Sequence, residues 1–482
     1  MHQQLRAAIL TGLLAAGQTV PSTRAMAATC SVSRGSIVSV YEDLIGEGYL
    51  ISKHGSGTVV AEGASSTLGV HATSAGMSPT RSRKATSSPS VDVLDLRPGY
   101  PTTDRLAHAD WRAAWRFAAA TDQKSGDPDL AGDLQLRTEL SRHLHVARGL
   151  RCDPDDVFVS AGTSDALGLI FATLNPPDSV ASPIIAVEDP GYPTAWAIAR
   201  RARIQVVPIA VDGDGIDVQA LHRHPDVSAV LVTPSHQYPL GGRLNIADRL
   251  ALLDWAAETH SYVIEDDYDS EFRYVGSPLP SIAALDQAGN VLLVGSLSKV
   301  LSPHVRCGYI VLPSRNSEMG ERMRQGLLAT RRDMGMPVPG ILQTALARYI
   351  ADGGLRRHIA RTRRNYVHKR ALVLQHLGNL PNTRLSALEG GIHAVLEIAP
   401  SVSSQELAAK LRSCGVLVDE LAEHSLSQPS PLNGLVIGYG STPDMELVRG
   451  LELIRGGAMQ QPGGATRNIH GKWQATKKSR PE

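Results

Sequence analysis

The chain has 482 residues, 48 Lys+Arg against 47 Asp+Glu and a formal net charge of +1, which excludes a protein that holds polyanions by bulk charge and leaves room for about two to four domains. Its four cysteines, Cys30, Cys152, Cys307 and Cys414, are scattered without a C-x-x-C, which argues against zinc clusters and a disulfide framework and fits a cytoplasmic protein. No apolar run approaches the roughly 20 residues that cross a bilayer, so no membrane partner is expected.

Residues 1–60 come first. Arg6 followed by Ala7–Gly17 has the charged and apolar parts of a secretory leader. Leu5, Ile9 and Leu13, however, recur at helical spacing, and polar helical sequence follows at once, so the segment is read as a first helix. Ser22 caps a second helix to about Thr29, and Ser33 caps a third whose Ile37, Val40, Tyr41 and Leu44 share one face. Tyr49–Ile51 and Thr58–Val60 read as short strands joined by a turn with Lys53 and His54. Three helices and a hairpin in this order predict a winged helix-turn-helix. Ser33, Arg34 and Ser36 would face the major groove, and Arg24, Lys53 and His54 the DNA backbone, with Thr58 completing the set. The elements P-S-x-R, V-S-R, Y-x-x-L-x-x-E-G-Y-L and G-S-G-T stand in order here and resemble the N-terminal domain of GntR-type bacterial regulators. The resemblance implies double-stranded operator DNA as a partner.

Residues 61–91 are rich in Ser, Thr, Ala, Gly and Pro without periodic apolar positions, and read as a flexible linker. Beyond it, apolar runs alternate with helical stretches. Val157–Val159, Ile184–Val187, Val206–Ile209, Ala229–Val232, Tyr262–Ile264, Val291–Val294 and Tyr309–Leu312 predict a largely parallel α/β sheet covered by helices such as Leu250–His260. Ligands in such sheets sit at the carboxyl ends of strands. Gly340–Leu377 reads as a long helical region broken near Gly353, leading into a smaller C-terminal domain with strands His393–Ile398 and Leu435–Tyr439. A polar tail follows from about residue 456.

Candidate chemistry lies after the apolar runs. Lys299 follows Val291–Val294, where a turn would desolvate its amine and ready it for a carbonyl. Ser296, Ser298 and Arg306 beside it suit a phosphate. An aldehyde for the lysine and a phosphate for its neighbours suggest pyridoxal phosphate (PLP). Asp266, in Glu265-Asp266-Asp267-Tyr268, suits a pyridine nitrogen, and Tyr268 suits the ring's phenolic oxygen. Gly162-Thr163-Ser164 marks a strand-to-helix junction, a place for phosphate or for plain capping. Tyr192 could stack on a ring or simply pack, and His236 alone reads better as a structural hydrogen-bonder than as a base.

The segments EDPGYP, TPSHQYPLGG, IEDDYDSEFRYVGSPLP and VGSLSKVLSPHVRCGY resemble the aminotransferase-like domain of MocR/GabR-type regulators. These join a GntR-type winged helix to a fold-type I PLP domain, and the resemblance spans residues 1–455. It implies that Lys299 takes the cofactor aldehyde, Asp266 pairs with the pyridine nitrogen, Tyr268 bonds the phenolic oxygen and Tyr192 stacks on the ring. Gly162, Thr163, Ser164, Ser296 and Arg306 would cradle the phosphate. It also implies a domain-swapped homodimer and, as effector, a small amine, an amino acid or PLP. Three positions depart from the pattern. Ser125 stands where the family often has tyrosine, and Val436 and Thr194 stand where carboxylate-binding arginines are expected. The expectation is a winged helix over 1–60, a linker over 61–91, a large PLP domain over 92–340, a small α+β subdomain over 341–455 and a tail over 456–482. The expected function is a PLP-dependent, DNA-binding transcriptional regulator. An active aminotransferase with an accessory DNA-binding domain is the alternative.

Overall fold

A computed structural model describes residues 2–459, except 11, 47–48, 54–56, 62–92, 104–105, 107, 123–124, 180, 277–278, 314–316 and 428. His54, the Lys53 side chain, nearly all of the expected linker and the tail from 460 lie outside the described residues.

The N-terminal part has helices α1 (His2–Leu10), α2 (Thr23–Cys30) and α3 (Arg34–Gly46), then strands β1 (Leu50–Lys53) and β2 (Gly57–Val60). The strands are antiparallel, with Leu50 opposite Val60. Both expected caps are present: Ser22 accepts from the Ala25 amide at 3.2 Å and Ser33 from the Ser36 amide at 3.1 Å. Ile9, Ile37, Tyr41, Leu44, Leu50 and Val60 make the core. Leu13 departs from the expected stripe. It lies past the end of α1, beyond Gly12 at φ +76°, and is 79% exposed.

Next come the short strand β3 (Leu94–Asp95) and helices α4 (Ala109–Ala120) and α5 (Leu134–Arg148). Seven strands then build one sheet: β4 (Val157–Ser160), β5 (Ile184–Asp189), β6 (Gln205–Ala210), β7 (Val227–Val232), β8 (Tyr262–Asp267), β9 (Val291–Ser296) and β10 (Gly308–Val311). Their order is β4-β10-β9-β8-β7-β5-β6. β10 runs antiparallel to both neighbours, while the other pairings are parallel. Helices α6 (Thr163–Leu174), α7 (Pro193–Arg201), α8 (Val218–Leu221), α9 (Ile246–Thr259) and α10 (Ile282–Leu285) lie between strands in the chain.

The strands read as unbroken apolar runs because both sheet faces are covered. β8 and β9 are buried at every position. Along β9 the side chains alternate: Leu293 packs with Leu136 and Leu140 of α5, while Leu292 and Val294 pack with Leu167 and Ile170 of α6.

Helices α11 (Glu318–Met334), α12 (Gly340–Ala351) and α13 (Gly354–Leu377) lead to the smaller unit. The expected break is the turn at Gly353, φ +73°. Strands β11 (Thr383–Ser386) and β12 (His393–Ile398), helix α14 (Ser404–Ser413), strands β13 (Val416–Leu417), β14 (Asp419–Glu420) and β15 (Gly434–Gly438) and helix α15 (Asp444–Met459) complete it. The order β11-β12-β15-β14 is antiparallel throughout.

Two expected boundaries need correction. β3 pairs with β13, Leu94 beside Val416, and both Leu94 and Leu96 enter the C-terminal core. This stretch of the expected large domain therefore packs with the small one, because Leu94 and Leu96 point to the same side of an extended chain. The expected tail also starts too early: α15 is helical through Met459, with Gly457 buried. Among the described residues no helix is long and apolar enough to cross a membrane.

Candidate functional site

The carboxyl ends of β8 and β9 bring the expected groups together. Three acids follow one another there, and two are already committed. Glu265 accepts from the Ile282 and Ala283 amides at 3.0 and 2.9 Å, holding the start of α10. Asp267 pairs with the Arg148 Nε at 2.6 Å. Asp266 is buried, and its Oδ1 has no hydrogen-bond partner. Burial, reinforced by Asp267, pushes its carboxyl up to about 8, while Lys299 pulls the other way. An open buried carboxylate oxygen at this place fits a protonated pyridine nitrogen, which would supply the missing donor and the missing charge.

Lys299 lies just past β9 and its Nζ donates to the Gly99 carbonyl at 2.8 Å. Burial lowers its pKa, with Asp266 and Asp269 opposing. Gly99 stands at φ +92°, and a Cβ there would fall 2.5 Å from the Lys299 Nζ. The positive φ favours glycine there, and a Cβ would push the end of the lysine aside. Gly99 is a site residue that the sequence reading misses, since nothing in the order of residues places it beside a lysine 200 positions later.

Tyr268 sits against His236, rings 6.1 Å apart and stacked. Its hydroxyl donates to the His236 carbonyl at 2.9 Å and stands 3.0 Å from the His236 Nδ1, which is 2.9 Å from the Asp269 Oδ2. With Asp269 ionised, the Nδ1 proton points at Asp269 and at the Tyr268 oxygen together. His236 thus serves as a hydrogen-bonder, and what it holds is Tyr268, a residue expected to contact the cofactor. Tyr238 fills the space between Tyr192, Tyr268, His393 and His424, with ring centroids 5.2–6.0 Å away. Burial pushes His393 down to about 3 and His424 down to about 4, so both are neutral. The polar Thr233 and Gln237 are taken up within the protein. Both bond the buried Glu188.

The residues expected at the phosphate lie around the start of α6. Gly162 caps it at φ +89°, and a Cβ there would meet the Ser298 hydroxyl at 3.6 Å. Thr163 and Ser164 open the helix, where amides are free to bind an anion. Ser164 also bonds the Tyr192 hydroxyl. Ser296 is buried and accepts from the Ser298 amide at 3.1 Å. It pairs across the sheet with Gly308, which pairs in turn with Ser160. Arg306 stands two residues before Gly308, at φ +48° and exposed. The hydroxyls of Ser164 and Ser296 and the amides that open α6 are groups of the kind a phosphate needs.

The expected DNA-facing residues form a different kind of surface. Arg24, Ser33, Arg34 and Ser36 are exposed, and Thr58 is half-buried on β2. Lys53 pairs with Gly57 across the hairpin.

Comparison with known proteins agrees with both halves. Residues 1–60 match the gntR family of bacterial regulatory proteins, and residues 91–430 match aminotransferase class I and II. The HTH-type pyridoxine biosynthesis transcriptional regulator PdxR of Corynebacterium glutamicum is 40% identical over 92% of this chain and 91% of its own. The probable rhizopine catabolism regulatory protein MocR of Rhizobium meliloti is 29% identical over 94% and 92%. The chain belongs to the MocR-type regulators. It is a DNA-binding transcriptional regulator with an aminotransferase-like domain that binds pyridoxal phosphate. An archaeal alanine:glyoxylate aminotransferase, 22% identical, superposes with a TM-score of 0.69 over 77% of this chain and 91% of that one. The MocR-type chain therefore carries the fold-type I architecture, with the sheet order given above.

Proposed function

We propose that this MocR-type regulator senses PLP itself, or a small amine or amino acid that reacts with it, and answers by altering how its winged helices meet an operator. A mismatch within the cleft carries the reading. The buried Lys299 amine, the open oxygen of Asp266 and the left-handed turn at Gly162 support a site for the cofactor. The two positions where carboxylate-binding arginines are expected hold neutral side chains instead. Val436 is buried among Ala387, Val395 and Leu421, and Thr194 is exposed. A site that keeps the cofactor but lacks these clamps favours a sensor over a transaminase.

PLP, when bound, supplies an electrophilic aldehyde and an electron-withdrawing ring. Burial lowers the Lys299 pKa, against Asp266 and Asp269, which makes its lone pair easier to offer to that aldehyde. With the cofactor bound, Asp266 would hold the proton at the pyridine nitrogen. Tyr268, whose hydroxyl here donates to the His236 carbonyl, would turn it to the phenolic oxygen, and Tyr192 would pack on the ring. Gly162, Thr163, Ser164, Ser296 and Arg306 would hold the phosphate. A relative 40% identical is named for control of pyridoxine biosynthesis, which makes PLP the first effector to test.

The reading divides the MocR-type chain into the winged helix over 1–60, a tether over 61–91 and the PLP unit beyond it, acting as a domain-swapped homodimer. A tether of about 30 residues reaches about 30 Å, enough to set one winged helix over the other subunit. A ligand changes the spacing of the two winged helices only by binding two arrangements unequally. The test pairs two titrations. Operator affinity is measured with and without PLP, and the visible band of the bound cofactor is followed as amines and amino acids are added. The expectation is a change of about fivefold or more in operator affinity and a band that shifts without turnover. Sustained turnover with amino and keto acids, with operator affinity indifferent to PLP, would favour the aminotransferase instead.

A further inference from the structure

Beside Val436, where a positive side chain was expected, stands a carboxylate. Val436 is paired with Val395 of β12 on one side and with Asp419 of β14 on the other. Directly opposed residues share one face of a sheet. Here it is the face that packs on Ala387 and Leu240 and that carries His393 against Tyr238. Asp419 is half-buried, and among the described residues it makes no hydrogen bond and no ion pair. Burial, reinforced by Glu423, pushes its carboxyl up to about 6 against the pull of Arg97, so it stays ionised at neutral pH. Arg97 is itself taken, since its Nε and Nη2 donate to Asp95 at 2.9 and 2.6 Å. Burial, and next to it Asp419, raises the hydroxyl of Tyr238, which packs against both Tyr192 and Tyr268. His424 stands on the same ring, with centroids 5.2 Å apart. It is 4% exposed, and neither of its ring nitrogens has a hydrogen-bond partner. Its place is fixed. The His424 carbonyl accepts from the Gly191 amide at 2.9 Å, and Asp189 accepts from the Leu426 amide at 2.9 Å. A loop of the small unit is thereby fastened to the turn that carries Tyr192. A buried imidazole with both nitrogens open, beside a carboxylate without a cation, calls for a ligand that donates.

We infer that the amine this cleft takes carries a second positive charge at the end away from Lys299, and that Asp419 and His424 receive that end. The inference rests on the sensing reading and narrows it to a substrate class, the diamines. An ammonium has three donors and no acceptor, which matches a carboxylate and a neutral imidazole. Burial keeps His424 neutral, so one of its nitrogens accepts. A ligand carboxylate at the same end would face Asp419 with Arg97 already held by Asp95. The cleft would then choose by attraction for one charge and repulsion of the other. Tyr238 forms the wall between the two ends, packed on Tyr192 and Tyr268 on one side and on His424 on the other. Because His424 and Asp419 belong to the small unit and Tyr238 to the large one, a diamine held at both ends would tie the two units together.

The experiment titrates the PLP-loaded full-length chain with amines of matched length whose far ends are positive, neutral and negative: 1,4-diaminobutane, butylamine and 4-aminobutanoate. The readouts are the concentration that half-completes the shift of the cofactor's visible band and, independently, the rise in Tm. The diamine is expected to act at a concentration about tenfold lower than butylamine, and 4-aminobutanoate at one about tenfold higher. Asp419→Asn is expected to bring all of them within about threefold of one another, and Asp419→Glu to keep their order. An equal response of wild type to the diamine and to butylamine overturns the inference. So does tightest binding of 4-aminobutanoate, which would hand the far end to Arg97, and so does a preference that survives in Asp419→Asn. Each of these results leaves the sensing reading standing. A chain that shows no band with PLP loses both. Should the variants not fold, the wild-type series decides alone.

Discussion

In the N-terminal sixty residues the side chains expected to do the work stand in solvent. Arg24, Ser33, Arg34 and Ser36 are all exposed, and the core beneath them is a separate set, Ile9, Ile37, Tyr41 and Leu44. In the cofactor cleft the working groups are inside. Asp266 is buried with an open oxygen, and Lys299 is drawn down by burial. The difference separates two ways of keeping a site ready. A surface that meets DNA leaves its cations hydrated, so readiness is free, and the binding energy comes from counterion release. A cleft that meets a cofactor holds polar groups out of water, so the empty site is a destabilised site that its ligand relaxes. Changes in the first should weaken binding and leave stability alone. Changes in the second should trade one against the other.

The sharpest break is at the lysine. Lys299→Ala removes the amine that takes the aldehyde, and the visible band of the bound cofactor is expected to vanish entirely. Operator binding without effector should persist, because no expected DNA contact lies near Lys299. A Lys299→Ala chain with an unchanged spectrum or an unchanged effector response would refute the scheme. Asp266→Asn comes next. It removes the charge but keeps the shape, and PLP affinity is expected to fall about 10–100-fold, the worth of one charge-assisted hydrogen bond in a dry site. Equilibrium dialysis measures it. A loss confined to less than about threefold would remove Asp266 from the pyridine nitrogen.

Much of the cleft was legible in the sequence because its parts sit at the ends of apolar runs. Asp266, Tyr268, Lys299 and the Gly162 turn each follow a strand that shows itself by burial alone. What was not legible is contact made across long separations. Gly99 meets Lys299, Asp269 reaches back to His236, and Gly391 closes behind both. No periodicity encodes such meetings. The strand β3 was missed for a related reason: two residues are too short to show an alternation, and its partner β13 lies in the last quarter of the chain. Helix α5 is a different case. Leu136, Leu140 and Leu144 recur every four residues, Asp133 caps the start and Gly149 ends it in the left-handed region, so its signal stands in the sequence for periodicity to find.

A smaller effect tests the claim that the empty cleft is destabilised. Without cofactor, the Asp266 carboxyl titrates near 8 in the folded chain, against about 4 in an unfolded one. Between those values the folded state keeps a proton that the unfolded state has released. Stability must therefore fall as pH rises across this window. Asp266→Asn removes that slope. The cofactor-free variant is expected to gain on wild type steadily as pH rises from 5 to 8, read as a widening difference in Tm. Lys299 shifts the other way and loses an opposing charge in the variant, so the two curves are compared across the whole window and not at one pH. Parallel wild-type and variant curves would mean that Asp266 carries no burial penalty and that the contrast between cleft and surface is overstated.

The surface half of the contrast has the smallest signal and the cleanest control. Arg34 opens α3, exposed beside the hydrogen-bonded pair Ser33 and Ser36. Arg34→Ala is expected to weaken operator binding about fivefold at fixed salt, and to lower the slope of log affinity against log salt by about one if the guanidinium meets a phosphate. If it meets a base edge instead, the loss should concentrate on one operator position and the slope should hold. In either case Tm and the cofactor spectrum should match wild type, because Arg34 lies outside the N-terminal core and touches no residue of the cleft. A fall in Tm with operator affinity intact would make Arg34 a structural residue. The division drawn between exposed and buried function would then fail at its simplest point.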